Sequence, residues 1–158
     1  MSEIELPDLA ASEALGKALA DCMSPGLVIY LQGDLGAGKT TLARALLHAL
    51  GYAGTVKSPT YTLVEVYVVS RLYLYHFDFY RFVSPEEFLD AGLDEYFRED
   101  SICLVEWPDK AFGHVPPADL ILSLREAGAG RCCALAACGE KGRECLTKLL
   151  SAAVGAGF

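Results

Sequence analysis

No pair of the six cysteines (Cys22, Cys103, Cys132, Cys133, Cys138 and Cys145) stands at C-x-x-C spacing, so neither a redox pair nor a zinc knuckle is expected. Four of them crowd the last third of the chain. However, neighbouring Cys132 and Cys133 point to opposite faces if they lie on a strand, so the expectation is reduced, buried thiols. The chain also lacks a basic start followed by an apolar run, and it lacks any apolar stretch of bilayer length. It is expected to be soluble and cytoplasmic, with no membrane association. There is no excess of positive charge: 13 Lys and Arg face 21 Asp and Glu, a net −8. That balance argues against this chain being the main surface that grips a nucleic acid, because phosphate backbones select basic faces. Acidic residues gather between Glu86 and Asp109 with only Arg98 to offset them. A solvated face is the plain reading of this run, and a docking surface for a basic partner is the sharper one. Repeats, low-complexity tracts and long linkers are absent too.

What is present is a chain of 158 residues, 53% of them hydrophobic, enough for one domain spanning 1–158 with a real core. Ser12 is a candidate cap for a helix carrying Leu15, Ala18, Leu19 and Cys22 on one face, stopped by Ser24-Pro25-Gly26. Leu27 to Leu31 reads as a buried strand. Leu63 to Val68 and Leu72 to Phe77 read as strands joined by a short hairpin. Ser84-Pro85-Glu86-Glu87 is a helix start with a capping box, ending near Gly92. Ser101 to Glu106 is an apolar strand ending in an acid. Leu120 to Leu124 and Cys132 to Ala137 form a final strand pair, and a helix from about Gly142 to Leu150 closes the chain. The predicted fold class is α/β, with a mixed, largely parallel sheet flanked by helices and antiparallel hairpins.

Between the first buried strand and the next helix stands Gly33-Asp34-Leu35-Gly36-Ala37-Gly38-Lys39-Thr40, the P-loop pattern G-x-x-x-x-G-K-[ST] in its strand–turn–helix context. Its glycines let successive N–H groups converge on one anion, and the helix read over Thr41 to Leu47 adds its positive end. Lys39 is expected to reach the β- and γ-phosphates of a nucleoside triphosphate, and the Thr40 hydroxyl to bind Mg²⁺.

Hydrolysis also needs a second acid near the metal and a group that orients the attacking water. Glu106, at the tip of an apolar strand, fits the first role, since ligand sites in open α/β sheets gather at that edge. Asp78, in His76-Phe77-Asp78-Phe79-Tyr80-Arg81, fits the second. His76 shares its face, with a structural role the plainer reading. Arg81 either contacts phosphate or pairs with the acidic helix that follows. Ser58-Pro59-Thr60-Tyr61-Thr62 reads as a switch-like loop whose hydroxyls (Ser58, Thr60, Thr62) sense the γ-phosphate or the metal.

Four motifs in series, Gly33 to Thr41, Ser58 to Glu65, His76 to Arg81 and Val105-Glu106-Trp107, closely resemble the TsaE (formerly YjeE) family in order and spacing, from about Leu27 to Leu124. The resemblance implies a small bacterial ATPase that acts with the TsaD and TsaB proteins to place threonylcarbamoyl on adenosine 37 of tRNA. It implies that the chain supports turnover of that complex rather than transferring the group itself, with tRNA held chiefly by the partners, which fits the acidic balance. It further implies ATP and Mg²⁺ as cofactors, Lys39 on phosphate, Thr40 and Glu106 on the metal, Asp78 as catalytic acid, and Trp107 near the site. After Leu124 no motif maps, and Arg131 is a candidate for bordering the nucleotide. Two other functions are compatible with a P-loop: a small-molecule kinase, and a nucleotide-dependent interaction module with incidental hydrolysis. The kinase lacks an arginine-bearing lid here, and a GTPase lacks its Asn-Lys-x-Asp stretch.

Overall fold

The computed structural model describes the backbone of residues 2–156 and the side chains of residues 2–152. Seven strands form one mixed sheet in the order β1-β7-β6-β2-β5-β4-β3. They are β1 (Ser2–Leu6), β2 (Val28–Gln32), β3 (Val64–Val69), β4 (Leu72–Asp78), β5 (Ser101–Glu106), β6 (Leu120–Ala127) and β7 (Gly130–Ala137). The central four, β6-β2-β5-β4, run parallel. Antiparallel pairs close both edges, β3 on β4 at one side and β7 with β1 at the other. The expected α/β class with antiparallel hairpins at its flanks is met. Every residue of β5 is buried, as befits a parallel strand covered on both faces.

Helices α1 (Leu9–Cys22), α2 (Lys39–Ala49) and α4 (Glu140–Ala156) pack on one face, over a core that includes Leu15, Leu19, Leu42, Leu46, Leu74 and Leu104. Gly16 sets the α1–α2 distance, because a Cβ there would lie 2.6 Å from the Ala45 methyl. The other face carries an aromatic core of Phe77, Phe79, Phe82 and Phe88 beneath the segment containing α3 (Glu87–Asp90). Alternation along β4 divides the two cores: Leu74, His76 and Asp78 share one face, Tyr75 and Phe77 the other.

The first helix starts earlier than Ser12. Asp8 is its cap, with a side-chain oxygen accepting from Ala11 N–H at 2.9 Å. The capping box at Ser84 is half realised. Glu87 reaches back to the Ser84 N–H at 3.0 Å, while the Ser84 hydroxyl turns to Glu86. The last helix runs longer than Gly142–Leu150 at both ends. Among the described residues no helix is long and apolar enough to cross a membrane.

Candidate nucleotide site

Strand β2 ends at Gln32 and the chain turns at once across the carboxyl edge of the parallel strands. Gly33 adopts φ 146°, and a Cβ there would lie 2.5 Å from the Leu124 carbonyl oxygen on neighbouring β6. Only glycine lets the loop leave β2 this close to its neighbour. Gly38, at φ 105°, caps α2 in the left-handed region. The loop closes on itself through Ala37 N–H to Asp34 O (3.0 Å), and α2 begins with Leu42 N–H to Gly38 O (3.0 Å). The N–H groups of Lys39, Thr40 and Thr41 precede the first helical bond, so they and the positive end of α2 are available to an anion. From β7, Arg131 braces the loop's outer side, donating from Nε to Ala37 O (3.1 Å) and from Nη2 to Gly36 O (3.2 Å). Since a trans peptide sets its C=O and N–H on opposite sides, fixing Ala37 O aims the Gly38 N–H away from Arg131.

Three adjacent strand ends meet the loop, because Leu31 and Asp78 are both in register with Glu106. Of the buried polar or charged residues Lys39, His76, Asp78, Ser101 and Glu106, all but Ser101 converge here. The Lys39 ammonium donates to Gly33 O, lies 3.9 Å from Glu106 Oε1, and sits 4.2 Å from the centre of the Trp107 ring. Burial pushes its pKa below the ordinary lysine value, against the pull of Glu106, Asp78 and Asp34. Glu106 Oε2 meets His76 Nε2 at 2.6 Å. Asp78 accepts from Tyr80 N–H at Oδ1 (2.8 Å) and from the Thr60 hydroxyl at Oδ2 (3.1 Å), and Thr60 in turn contacts Ser58 Oγ at 2.8 Å. Burial holds the Asp78 carboxyl above the ordinary aspartate value. Tyr80 N–H opposes that, the Glu106 charge adds to it, and Thr60 and His76 oppose it. The resulting cleft of about 220 Å³ collects Leu35, Gly36, Gly38, Lys39, Thr40, Thr41, Ser58, Thr60, Asp78, Glu106 and Trp107.

The family model described as "Threonylcarbamoyl adenosine biosynthesis protein TsaE" matches residues 6–133. The chain belongs to the TsaE family. A protein of Haemophilus influenzae named "tRNA threonylcarbamoyladenosine biosynthesis protein TsaE" is 45% identical over 124 residues, covering 75% of this chain and 78% of its own length. A Bacillus subtilis protein of the same name is 41% identical over 117 residues, covering 74% of this chain and 73% of its own. The crystal structure of Bacillus subtilis YdiB superposes with a TM-score of 0.81 at 30% identity, over 95% of this chain and 94% of that one.

Within this TsaE-family fold, two candidate side chains, Thr62 and Arg81, make their contacts away from the cleft. Thr62 leaves the cleft and donates to Glu65 Oε1 at 3.0 Å on the exposed side of its loop, because Pro59–Leu63 closes as a turn with Leu63 at φ 68°. Asp34, like Gly33 and Ala37, belongs to the loop but not to the residues that line the cleft. Arg81 stacks on Tyr61, its guanidinium 4.1 Å from the ring centre, and pairs with neither phosphate-loop residues nor the acidic helix. The acidic run from Glu86 to Asp109 is largely exposed, with Glu106 its buried exception. No group of three or more His, Cys, Asp or Glu among the described residues could hold a metal. Cys132 and Cys133 are both buried, and burial pushes the Cys103 and Cys133 thiols up to about 12, which keeps them inert.

Two features of the site had no signature in the sequence. Trp107 takes a left-handed backbone (φ 56°, ψ 50°), which turns its ring onto Lys39. His76 reaches across from β4 to Glu106, a contact fixed by strand register alone.

Proposed function

We propose that this chain binds Mg·ATP at Gly33–Thr41, hydrolyses it slowly, and through that cycle supports turnover of a TsaD–TsaB complex that modifies tRNA at adenosine 37. The observation that carries the reading is the convergence of Lys39, Glu106, Asp78 and the Thr60 loop on the N-terminus of α2, in a member of the TsaE family. Phosphoryl chemistry is mostly positioning and charge stabilisation, and a cation, two carboxylates and a helix N-terminus facing one cleft are the groups it uses.

The donor set suits magnesium. Thr40 and Glu106 both line the cleft with hard oxygen atoms, and Mg²⁺ typically takes only one or two protein ligands beside phosphate oxygens and water. A magnesium ion held there would supply positive charge to the phosphate oxygens. Lys39, now on Gly33 O, would serve the β- and γ-phosphate oxygens, and the N–H groups of Gly38 to Thr41 would hold the β- and α-phosphates. Asp78, fixed at both oxygens, accepts a hydrogen bond from the attacking water. Beyond Thr41 a groove of about 410 Å³ between α1 and α2 would receive the nucleoside, where Leu9 would offer apolar surface to the base and Arg44 a donor. Partner docking over the mouth is supported by exposed apolar side chains there, Leu35 (67%) on the loop and Tyr61 (80%) on the switch-like segment.

The test is reconstitution of threonylcarbamoyl-adenosine formation on tRNA with TsaD, TsaB and the activated donor, with and without this chain and ATP. Repeated turnover only with the intact chain, lost in Lys39→Ala, is the expected result. Turnover that persists in an Asp78→Asn chain which binds ATP without hydrolysing it would instead favour a binding-only module.

A further inference from the structure

His76 lies on the α2-facing side of β4 with 0% exposure, one position below Asp78 on that face. Its Nε2 is 2.6 Å from Glu106 Oε2, while Glu106 Oε1 faces Lys39 Nζ at 3.9 Å. A carboxylate offers acceptors only, so this contact places a proton on Nε2. Nδ1, an acceptor in the neutral ring and a donor in the charged one, has no hydrogen-bond partner among the described residues. An orphaned buried polar atom of either kind lowers stability. An apolar side chain would avoid that penalty, as Leu74 does on the same face of β4. The ring therefore costs the fold something at Nδ1, and the one hydrogen bond it makes is to Glu106.

We propose that His76 is a positioning residue for Glu106: its Nε2–H anchors one carboxylate oxygen so that the other is held toward the cleft for the metal of Mg·ATP. The proposal rests on Glu106 being a metal ligand and adds the residue that aims it. A glutamate at a strand tip has three side-chain torsions, and an anchor on one oxygen restricts the rotations that would turn the head away. Outer partners of metal ligands act in this way.

The experiment titrates Mg²⁺ against full-length chain at fixed ATP, read by thermal shift, and measures ATP binding separately in EDTA. His76→Leu and His76→Asn, which lose the donor or place it short of Glu106, should raise the Mg²⁺ requirement roughly 10–100-fold. ATP binding in EDTA should stay unchanged in both. His76→Gln, whose amide N–H extends about as far as Nε2, should restore the wild-type titration. Wild-type Mg²⁺ curves for Leu and Asn, beside a shifted Glu106→Gln control, would overturn the positioning role. An unshifted Glu106→Gln would overturn the metal-ligand reading beneath it. If the Leu variant does not fold, the Gln–Asn comparison decides.

Discussion

Replacing Thr60 by valine keeps the branched shape of the side chain and removes the hydroxyl between Ser58 and Asp78. Asp78 is 5% exposed, so its Oδ2 has little water to turn to and Tyr80 N–H holds only Oδ1. A buried acceptor deprived of its partner costs about 1–3 kcal/mol. For a chain of this size that is ~2–4 °C of Tm per kcal/mol. The loss depends on pH in a definite direction. Burial raises the folded pKa of Asp78 above its unfolded value, so the native state holds the proton longer, and stability falls as pH rises from the unfolded through the folded pKa. Thr60 favours the ionised form, and its removal raises the folded pKa further. The Tm gap between wild type and Thr60→Val, measured without nucleotide, should therefore be widest above the folded pKa of Asp78 and narrow as pH falls through it toward the ordinary aspartate value. A gap that is absent, or that stays constant across that fall, would refute the coupling of the switch-like loop to Asp78.

Asp78→Asn removes a buried charge that the fold disfavours, so Tm at pH 8 should rise while hydrolysis falls by roughly 10²–10⁴-fold with ATP binding kept. Differential scanning fluorimetry and phosphate release check both halves, and a destabilised variant contradicts the first. Gly33→Ala must shift a Cβ off the Leu124 carbonyl and adopt a φ closed to alanine. About 1–3 kcal/mol of strain and at least a tenfold weaker ATP affinity are expected, read by calorimetry. Trp107 is the only tryptophan, and its ring carries the Lys39 ammonium. ATP that draws Lys39 away should change the intrinsic fluorescence, a change lost in Lys39→Ala. An ATP signal that survives in that variant would detach Trp107 from the lysine.

Local chemistry made most of this legible. The glycine loop, the strand before it, the α2 helix after it and the β3–β4 and β6–β7 hairpins are each defined by contiguous residues. Glu106 was readable because four apolar residues deliver it to a strand tip. What escaped depends on pairings far apart in sequence. Strand β1 alternates Ile4 and Leu6 inward with Glu3 and Glu5 outward, yet its partner β7 lies more than a hundred residues on. The His76–Glu106 contact follows from two strands lying side by side. The direction of Thr62 is set by the left-handed Leu63, a conformation that leucine does not advertise. Arg131 could be suspected beside the nucleotide, but not seen as a brace on loop carbonyls.

The brace also orders events during synthesis. Arg131 and Ala37 stand 94 residues apart, and β1 cannot pair until Leu135 is available to face Ser2. The phosphate loop leaves the ribosome early, yet its neighbour strands β5 and β6 and its clamp are made far later. A nascent chain therefore holds an unbraced glycine loop until nearly the whole protein has emerged. On the proposed function, a chain ended before β7 lacks Arg131 and should gain no thermal stabilisation from ATP.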